Sequence, residues 1–244
     1  MSALDGQTVV VIGGSAGIGL GTARRARAEG AEVVLTGRDP ERLARAAAEV
    51  GARSTAAFDA TDPAELERFF DDLATPVDHV MVTAGSPYYA PMAEMDLDKV
   101  REDVEAHLLL PLRVGRLATG RVRPGGTLLF IGGTGGRRPD VGLVMVSAIT
   151  AAMPALIANM AIEIAPVRVN LIACGFVDTP LSAALLGDGL DARRDQLRAT
   201  LPIGRVVGPD DVGALAVHLM ANTALTGATY DIDGGQQFVP RPAG

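Results

Sequence analysis

The stretch from Thr8 to Arg38 constrains the fold of this chain more than any other part of the sequence. A short run rich in β-branched residues, Thr8 to Ile12, has the length and composition of a buried strand. Closely spaced glycines follow it, then a helical stretch from Leu20 to Glu29 and a second strand-like run from Val33 to Leu35. This order of strand, glycine turn, helix and strand predicts a βαβ unit.

The glycines that follow the first strand are suited to a phosphate group. Gly13, Gly17 and Gly19 carry no Cβ, so backbone N–H groups and a helix N-terminus can approach a pyrophosphate closely. The strand before them and the helix after them are the context that a dinucleotide-binding turn requires. The alternative is a tight turn between strand and helix that binds no ligand.

Strand-like runs alternate with helical stretches along the whole chain, without a linker or a repeat. Such alternation predicts an α/β fold, with a parallel sheet covered by helices on both faces and ligands bound beyond the carboxyl ends of its strands. The predicted strands are Thr8–Ile12, Val33–Thr36, Ser54–Phe58, His79–Thr83, Thr127–Ile131, Arg168–Ala173 and Thr229–Ile232. After the first helix, further helices are predicted near 40–50, 63–73, 97–119, 143–165 and 209–221.

The composition of the chain limits the kinds of molecule that it is expected to bind and the compartment in which we expect it. The chain of 244 residues has a net charge of −7 and no basic tract, which argues against nucleic acid or an anionic membrane surface as a partner. No signal peptide and no apolar run of membrane-spanning length are expected. The single cysteine, Cys174, fits a reducing compartment, so we expect a cytoplasmic protein. The three histidines, His79, His107 and His218, are far apart, and no metal site is expected.

Further short motifs follow the glycine turn in a defined order. They are Phe58-Asp59-Ala60-Thr61-Asp62, Thr83-Ala84-Gly85, Arg168-Val169-Asn170, Cys174-Gly175-Phe176-Val177-Asp178-Thr179 and Asp233-Gly234-Gly235. Together with Gly13–Gly19, they resemble the motifs of the classical short-chain dehydrogenase/reductase family over nearly the whole chain. The resemblance implies a doubly wound (Rossmann) sheet of seven mainly parallel strands in one domain, residues 1–244, with a small substrate lid near 180–205. It also implies a small-molecule substrate and assembly into a homodimer or homotetramer through two long helices.

The resemblance further implies that the glycine turn and the strand ends bind a nicotinamide dinucleotide. Arg38 follows the second strand, where an acid would bind the ribose of NAD and an arginine accommodates the 2′-phosphate of NADP. Ser15 can add a hydroxyl donor, so NADP(H) is the predicted cofactor; a solvated surface arginine is the alternative. The implied cofactor-binding residues are Gly13, Ser15, Gly17, Ile18, Gly19, Arg38, Asp59, Ala60, Ala84, Gly85, Gly175, Val177 and Thr179.

The catalytic residues of the family are missing at the matching positions. Counting back from Glu163 puts the tyrosine and the lysine of the family on Val146 and Thr150, and its serine falls on Gly133. The asparagine falls on His107, whose imidazole titrates near neutral pH and is therefore the candidate proton donor. A buried polar residue without a catalytic role is the alternative for His107.

A shift of register does not restore the missing pair. Lys99 is the only lysine of the chain, and Met95 stands where the tyrosine of a Tyr-x-x-x-Lys pair would have to be. The sequence therefore predicts that ordinary ketones and secondary alcohols are poor substrates, because neither valine nor threonine can act as a positioned acid beside a cation.

Three functions remain open at this point. The first is an NADP(H)-dependent oxidoreductase with an atypical active site, acting on an apolar small molecule that contains an activated C=N, C=C or C=O bond. The apolar segment Leu181–Leu190, which the resemblance places in the lid, favours an apolar ligand. The second is a catalytically inactive dinucleotide-binding sensor or partner subunit, and the third is a non-redox isomerase or cyclase. Turnover of NADPH with candidate substrates separates the first from the others.

Overall fold

Seven parallel strands form one sheet in the computed structural model, which describes residues 2–74 and 76–239. The spatial order is β3-β2-β1-β4-β5-β6-β7, and each neighbouring pair is parallel. The predicted fold class, a doubly wound α/β sheet, is confirmed. The strands are β1 Thr8–Ile12, β2 Glu32–Gly37, β3 Ser54–Ala57, β4 Val77–Val82, β5 Val122–Gly133, β6 Arg168–Cys174 and β7 Thr229–Ile232.

Helices cover both faces of the sheet. Alternate residues of β1 enter opposite cores: Val10 and Ile12 pack on one side, and Val9 and Val11 pack on the other. The first core is closed by α3, α5 and α6, and the second by α1, α2 and α9. The helices are α1 Gly17–Ala28, α2 Pro40–Val50, α3 Pro63–Asp72, α4 Leu97–Val104, α5 Leu110–Ala118, α6 Val144–Glu163, α7 Pro180–Leu186, α8 Leu190–Thr200 and α9 Pro209–Ala221.

The strand order reverses between β1 and β4. Chain order runs outward from β1 to β3 on one side and from β4 to β7 on the other, so the carboxyl ends of β1 and β4 border a crevice. In open α/β sheets ligands bind at this switch point. The glycine turn after β1 and Gly85 after β4 both lie there.

Three predicted elements differ from the structure. The first helix begins at Gly17 rather than Leu20, because its first turn is formed by the glycine segment itself. The helix predicted near 97–119 is interrupted by a π-helical turn at Glu105–Leu109, which a helical repeat in sequence does not reveal. The apolar segment after Thr179 contains two helices, α7 and α8, that were not predicted, because glycines at 187 and 189 conceal the helical pattern.

The prediction that no apolar run reaches membrane-spanning length was wrong for α6. Its 20 residues are long and apolar enough to cross a membrane by length and composition alone. One face of α6 instead packs into the sheet through Ile149, Met153 and Ile157, while much of the helix remains uncovered in the single chain. Its continuous apolar character therefore reflects a second exposed face of alanines and Ile162 rather than complete burial. The helix runs through Pro154 without ending.

Candidate active site

The turn between β1 and α1 requires glycine at defined positions. Gly13 and Gly17 have φ angles of +92° and +52°, in the left-handed region that other residues rarely adopt. A Cβ added to Gly19 would lie 2.3 Å from the carbonyl oxygen of Gly13. The turn therefore presents backbone rather than side chains to the crevice, which is the cradle that a dinucleotide phosphate requires.

No side chain caps the first turn of α1 among the described residues. Its N-cap residue, Ala16, is extended and makes no side-chain capping bond, and no acidic residue lies in the first turn. By contrast, Asp39 caps α2 and Asp62 caps α3. The unpaired N–H groups and the helix dipole of α1 thus remain available for an anion, and these residues fit the pyrophosphate of a dinucleotide.

Hydrogen bonds from two neighbouring strands hold the glycine turn in place. The amide of Gly14 donates to the carbonyl of Thr36 at 2.9 Å. The hydroxyl of Thr83, just beyond β4, donates to the carbonyl of Gly13 at 3.0 Å. The turn is therefore fixed before any ligand arrives.

Two charged residues, Arg38 and Asp39, follow β2. The carboxylate of Asp39 already accepts hydrogen bonds within the protein. Asp39 accepts hydrogen bonds from the amides of Glu41 and Arg42, both at 3.0 Å, and these bonds, the Arg42 amide foremost, lower the pKa of Asp39. Arg38 is exposed and makes no ion pair or hydrogen bond to another residue in ranges 2–74 and 76–239. Ser15 lies beside this strand end, with its Oγ 3.0 Å from the Cβ position of Gly37. A phosphate at this point would meet Arg38 and Ser15 rather than a carboxylate.

Asp59 lies just after β3 on the same edge of the sheet. Burial would raise the pKa of its carboxyl, but hydrogen bonds from the amide and hydroxyl of Thr61 and the charge of Arg38 lower it overall. The carboxylate is thus ionised and oriented by Thr61 beside the buried Ala60. It can accept a further hydrogen bond from a ligand such as an amino-substituted base.

His107 lies in the π-helical turn and faces the loop after β4. A Cβ added to Gly85 would lie 3.0 Å from Nε2 of His107, and Gly85 itself has a φ of +119°. On the other side of the ring, Nδ1 is 3.0 Å from the carbonyl oxygen of Asp103. Ala84, which precedes Gly85, packs against the core. The structure therefore places His107 at the carboxyl edge of the sheet, beside the β1/β4 crevice.

Asp103 was not among the predicted site residues. Its side chain is buried next to His107, one helical turn earlier. The spacing of four residues between an acid and a histidine was the readable signal, since such residues share one face of a helix. What the sequence did not show was the burial of the carboxyl group.

Val146 and Thr150, the positions predicted to match the tyrosine and lysine of the resembled family, lie one turn apart on α6. Thr150 donates its hydroxyl to the carbonyl of Val146 at 2.6 Å, so that hydroxyl is engaged within its own helix. At Gly133, the last residue of β5, the nearest atoms to an added Cβ are 3.8 Å away, so a side chain would fit. Burial raises the pKa of the Cys174 thiol, on the neighbouring strand, to about 12 and leaves it unreactive.

The segment after β6 approaches the glycine turn from the opposite side. The Cβ and Cγ2 atoms of Thr179 are 3.4 Å from the Cβ position of Gly17. Thr179 caps α7 together with Ser182, which fixes the start of the lid. Gly175 is required because a Cβ there would lie 2.6 Å from Cβ of Asp233, and Val177 is buried against Val207.

The segment predicted as a substrate lid, residues 180–205, is anchored by charge and carries exposed apolar side chains. Asp178 accepts two hydrogen bonds from Arg194 of α8, at 2.9 and 2.8 Å, which ties α8 to the end of β6. Leu181 and Leu185 of α7 are exposed, as is Ile203 beyond α8. This segment therefore presents apolar side chains to solvent.

Comparison with known proteins gives one family over nearly the whole chain. Residues 13–237 match the family described as enoyl-(acyl carrier protein) reductase. A short-chain dehydrogenase/reductase, ATR9 of Stachybotrys chlorohalonatus, is 27% identical over 253 residues, which is 96% of this chain and 98% of that protein.

Two further proteins are similar along their full length. The cyclic-di-GMP-binding biofilm dispersal mediator protein of Escherichia coli is 30% identical over 242 residues, covering 96% of this chain and 98% of the relative. The crystal structure of BdcA in complex with NADPH superposes with a TM-score of 0.85 at 26% identity, covering 95% of each chain.

Proposed function

Because this chain belongs to the short-chain dehydrogenase/reductase family and is an oxidoreductase, we propose that its cofactor is NADP(H) and its substrate an apolar small molecule with an activated double bond. The observation that carries the proposal is the cradle at the β1/β4 crevice, with the uncapped N-terminus of α1 and the unpaired Arg38. When bound there, NADP(H) supplies or accepts a hydride.

Different residues at the crevice would bind different parts of the cofactor. Gly13, Gly17 and the first amides of α1 would bind the pyrophosphate, since no side chain competes for them. Arg38 and Ser15 would bind the 2′-phosphate, because the carboxylate of Asp39 is engaged by α2: Oδ1 caps the helix and Oδ2 accepts from the Arg42 side chain. Asp59 would accept a hydrogen bond from the adenine.

The protein should bind NADPH more tightly than NADH, and Arg38→Ala should remove most of the difference. A charge-assisted bond to a phosphate contributes about 1.5–3 kcal/mol, which corresponds to a loss of roughly tenfold to a hundredfold in NADPH affinity. Titration calorimetry with both nucleotides measures the effect. Arg45→Ala on the exposed face of α2 is the matched control, since Arg45 pairs only with Glu41 among the described residues and should not alter either affinity. Equal affinities of the unmutated protein for NADPH and NADH would contradict the proposal.

The substrate class follows from the lid and from the residues that the site lacks. Exposed leucines of α7 favour an apolar ligand, because its binding would remove apolar surface from water. Val146 offers no proton, and the hydroxyl of Thr150 is engaged by a helix carbonyl. A substrate that is cationic or strongly polarised needs little acid catalysis, so an iminium ion or an activated alkene suits this site better than a plain ketone.

A second candidate function is nucleotide binding without turnover. It is supported by the absence of a phenol and an ammonium group at Val146 and Thr150, and by the name of the Escherichia coli relative, which describes a binding protein. Tight NADPH binding without oxidation, across a panel of iminium ions, activated alkenes and ketones, would favour this function. Oxidation of NADPH by any member of the panel would favour the oxidoreductase.

We also propose a homodimer or homotetramer formed through α5 and α6. Leu112 on α5 is 51% exposed and Ile162 on α6 is 77% exposed, and both lie outside the core that these helices close. Large exposed apolar side chains on adjacent helices are typical of an interface.

Ile162→Asp should shift the protein towards the monomer, because it would bury an unpaired charge at that interface. Light scattering at micromolar concentration measures the mass. Ala48→Asp on α2, an exposed alanine away from α5 and α6, is the control and should leave the mass unchanged. A monomeric mass for the unmutated protein would contradict the proposed assembly.

A further inference from the structure

Asp103 is a buried acid whose carboxylate oxygens have no hydrogen-bond donor. The residue is 3% exposed, and neither Oδ1 nor Oδ2 has a hydrogen-bond partner among the described residues. An ionised carboxylate that is removed from water costs several kcal/mol unless an opposite charge compensates it. The chain retains Asp103 at this site, so the identity of the compensating group matters.

His107 is the group placed to compensate that charge. Its Nδ1 is 2.8 Å from Oδ1 of Asp103, while the ring N–H is aligned with the Asp103 carbonyl oxygen at 3.0 Å rather than with the carboxylate. The contact between carboxylate and ring is therefore mainly electrostatic. In the described ranges, it is the one ion pair that Asp103 forms.

Among the described residues no second cation forms an ion pair with Asp103; Lys99, one turn earlier on α4, lies with its Nζ 5.8 Å from the centroid of the Tyr88 ring. α6 packs against α4 and against the π-helical turn, and it carries no charged residue before Glu163. The segment from Thr83 to Pro91 contributes two phenols, Tyr88 and Tyr89, and no charged side chain. Burial and then the negative charge of Asp103 raise the pKa of Tyr89, so Tyr89 senses this carboxylate and stays protonated.

The opposite edge of the imidazole faces the crevice. Nε2 approaches the loop after β4 at Gly85, and the histidine side chain is 19% exposed, so water can reach it. One ring nitrogen is thus held by Asp103, through its carbonyl and its carboxylate, and the other faces the loop after β4 at the edge of the crevice. This is the arrangement of a general acid oriented by a carboxylate.

We propose that Asp103 is the positioning residue for His107 and that together they form a proton-donating pair; the inference rests on the function proposed above. When the substrate is uncharged, hydride reaches one atom of its double bond and the displaced electron pair on the other atom takes the proton from Nε2 of the His107 imidazolium. The Nε2–H bond breaks, an O–H, N–H or C–H bond forms on the substrate, and neutral imidazole remains. Water restores the proton from the exposed side of the ring.

The pair can be tested without a substrate or a nucleotide. Long-range ¹H–¹⁵N spectra of the full chain, labelled at its histidines, report the tautomer and the titration of each ring, and His107→Asn assigns the signals. We expect Nδ1–H to be the neutral tautomer of His107 in the unmutated protein. In Asp103→Asn we expect the Nε2–H tautomer to gain population at the expense of Nδ1–H, because a neutral amide no longer favours a proton on Nδ1 electrostatically.

Matched variants separate the charge of Asp103 from a purely structural role. Glu102→Gln removes a neighbouring exposed acid on the same helix and should leave the tautomer populations of His107 unchanged. His218, an exposed histidine on α9, should keep its own tautomer populations in every variant. If Asp103→Asn does not fold, Asp103→Glu keeps the charge and should keep the Nδ1–H tautomer of the unmutated protein.

The outcomes distinguish this inference from the proposed function. An Nε2–H tautomer in the unmutated protein, or unchanged tautomer populations in folded Asp103→Asn, would overturn the pair even if the protein oxidises NADPH rapidly. A gain of the Nε2–H tautomer in Asp103→Asn supports the pair even if no panel substrate is turned over, in which case the oxidoreductase proposal fails separately.

Discussion

Lowering the pH from 7 to 4 should cost the folded protein about 3 kcal/mol through His79 alone. Burial lowers the pKa of His79 to about 3; Asp78 opposes this shift, and the positive charges of Arg123 and Arg168 add to it. At pH values between this pKa and the pKa of a histidine in the unfolded chain, the unfolded chain binds a proton at His79 that the folded protein does not bind. The contribution of His79 to the free energy of unfolding is therefore fully present above about pH 6.5 and is lost as the pH falls towards 3.

The contacts of His79 explain why the folded protein excludes that proton. Its Nε2 lies 2.7 Å from Oε1 of Gln7, and the same oxygen accepts from Arg123 at 3.3 Å, so Nε2 is the protonated nitrogen. Nδ1 is buried without a partner among the described residues. A second proton on Nδ1 would place an unsolvated cation beside two guanidinium groups.

Urea unfolding between pH 7 and 4 measures this effect. When the pH is lowered from 7 to 4, the free energy of unfolding of His79→Gln should fall by about 3 kcal/mol less than that of the unmutated protein. This difference in slope is expected whatever the free energy of unfolding of the variant is at pH 7. His218→Gln is the matched control, because His218 is exposed, and it should leave the pH dependence unchanged. Parallel pH profiles for His79→Gln and the unmutated protein would show that His79 accepts a proton in the folded state.

A preformed iminium cation should be reduced roughly a hundredfold to ten-thousandfold faster than the matched ketone, the range associated with acid–base catalysis. Ketone reduction generates an alkoxide that must be protonated, and in the predicted register Val146 and Thr150 stand where the family has the phenol and the ammonium that serve this purpose. An iminium cation becomes a neutral amine on accepting hydride and needs no proton. An N-methyl dihydroisoquinolinium salt and α-tetralone share one bicyclic frame and form the test pair. Loss of the NADPH absorbance measures the rate of reduction of each.

His107→Asn and His107→Ala should separate the two substrate classes further. Both variants should reduce the iminium salt at the unmutated rate, while any reduction of the ketone should fall and lose its dependence on pH between about 5 and 9, where imidazole titrates. Unchanged ketone reduction with an unchanged pH profile would remove His107 from the mechanism. Brisk ketone reduction by the unmutated protein would contradict the account of the missing acid.

Local sequence patterns were sufficient for the framework of the protein. The run Thr8–Ile12 with its glycines, and the alternation of apolar strands with helical stretches, predicted a doubly wound parallel sheet, because strands buried on both faces read as continuous apolar segments. The absence of a Tyr-x-x-x-Lys pair also followed directly from the residues present, with Lys99 as the sole lysine. The cofactor contacts assigned to the turn and strand ends, and the role of His107, stay predictions that rest on where the structure places these residues.

The tertiary structure determined which polar groups are buried away from water and which apolar surfaces remain exposed to it. Asp103 looks like an ordinary surface residue in sequence, and His79, at the start of a predicted strand, gives no sign that its ring is excluded from water. Both are buried, His79 in β4 and Asp103 beside the π-helical turn, because elements distant in sequence pack over them. The continuous apolar sequence of α6 likewise did not reveal that one face enters the core while Ile162 points away from it. Periodicity along a chain records local geometry, whereas burial and charge compensation depend on contacts between residues far apart in sequence, and only the assembled fold specifies those contacts.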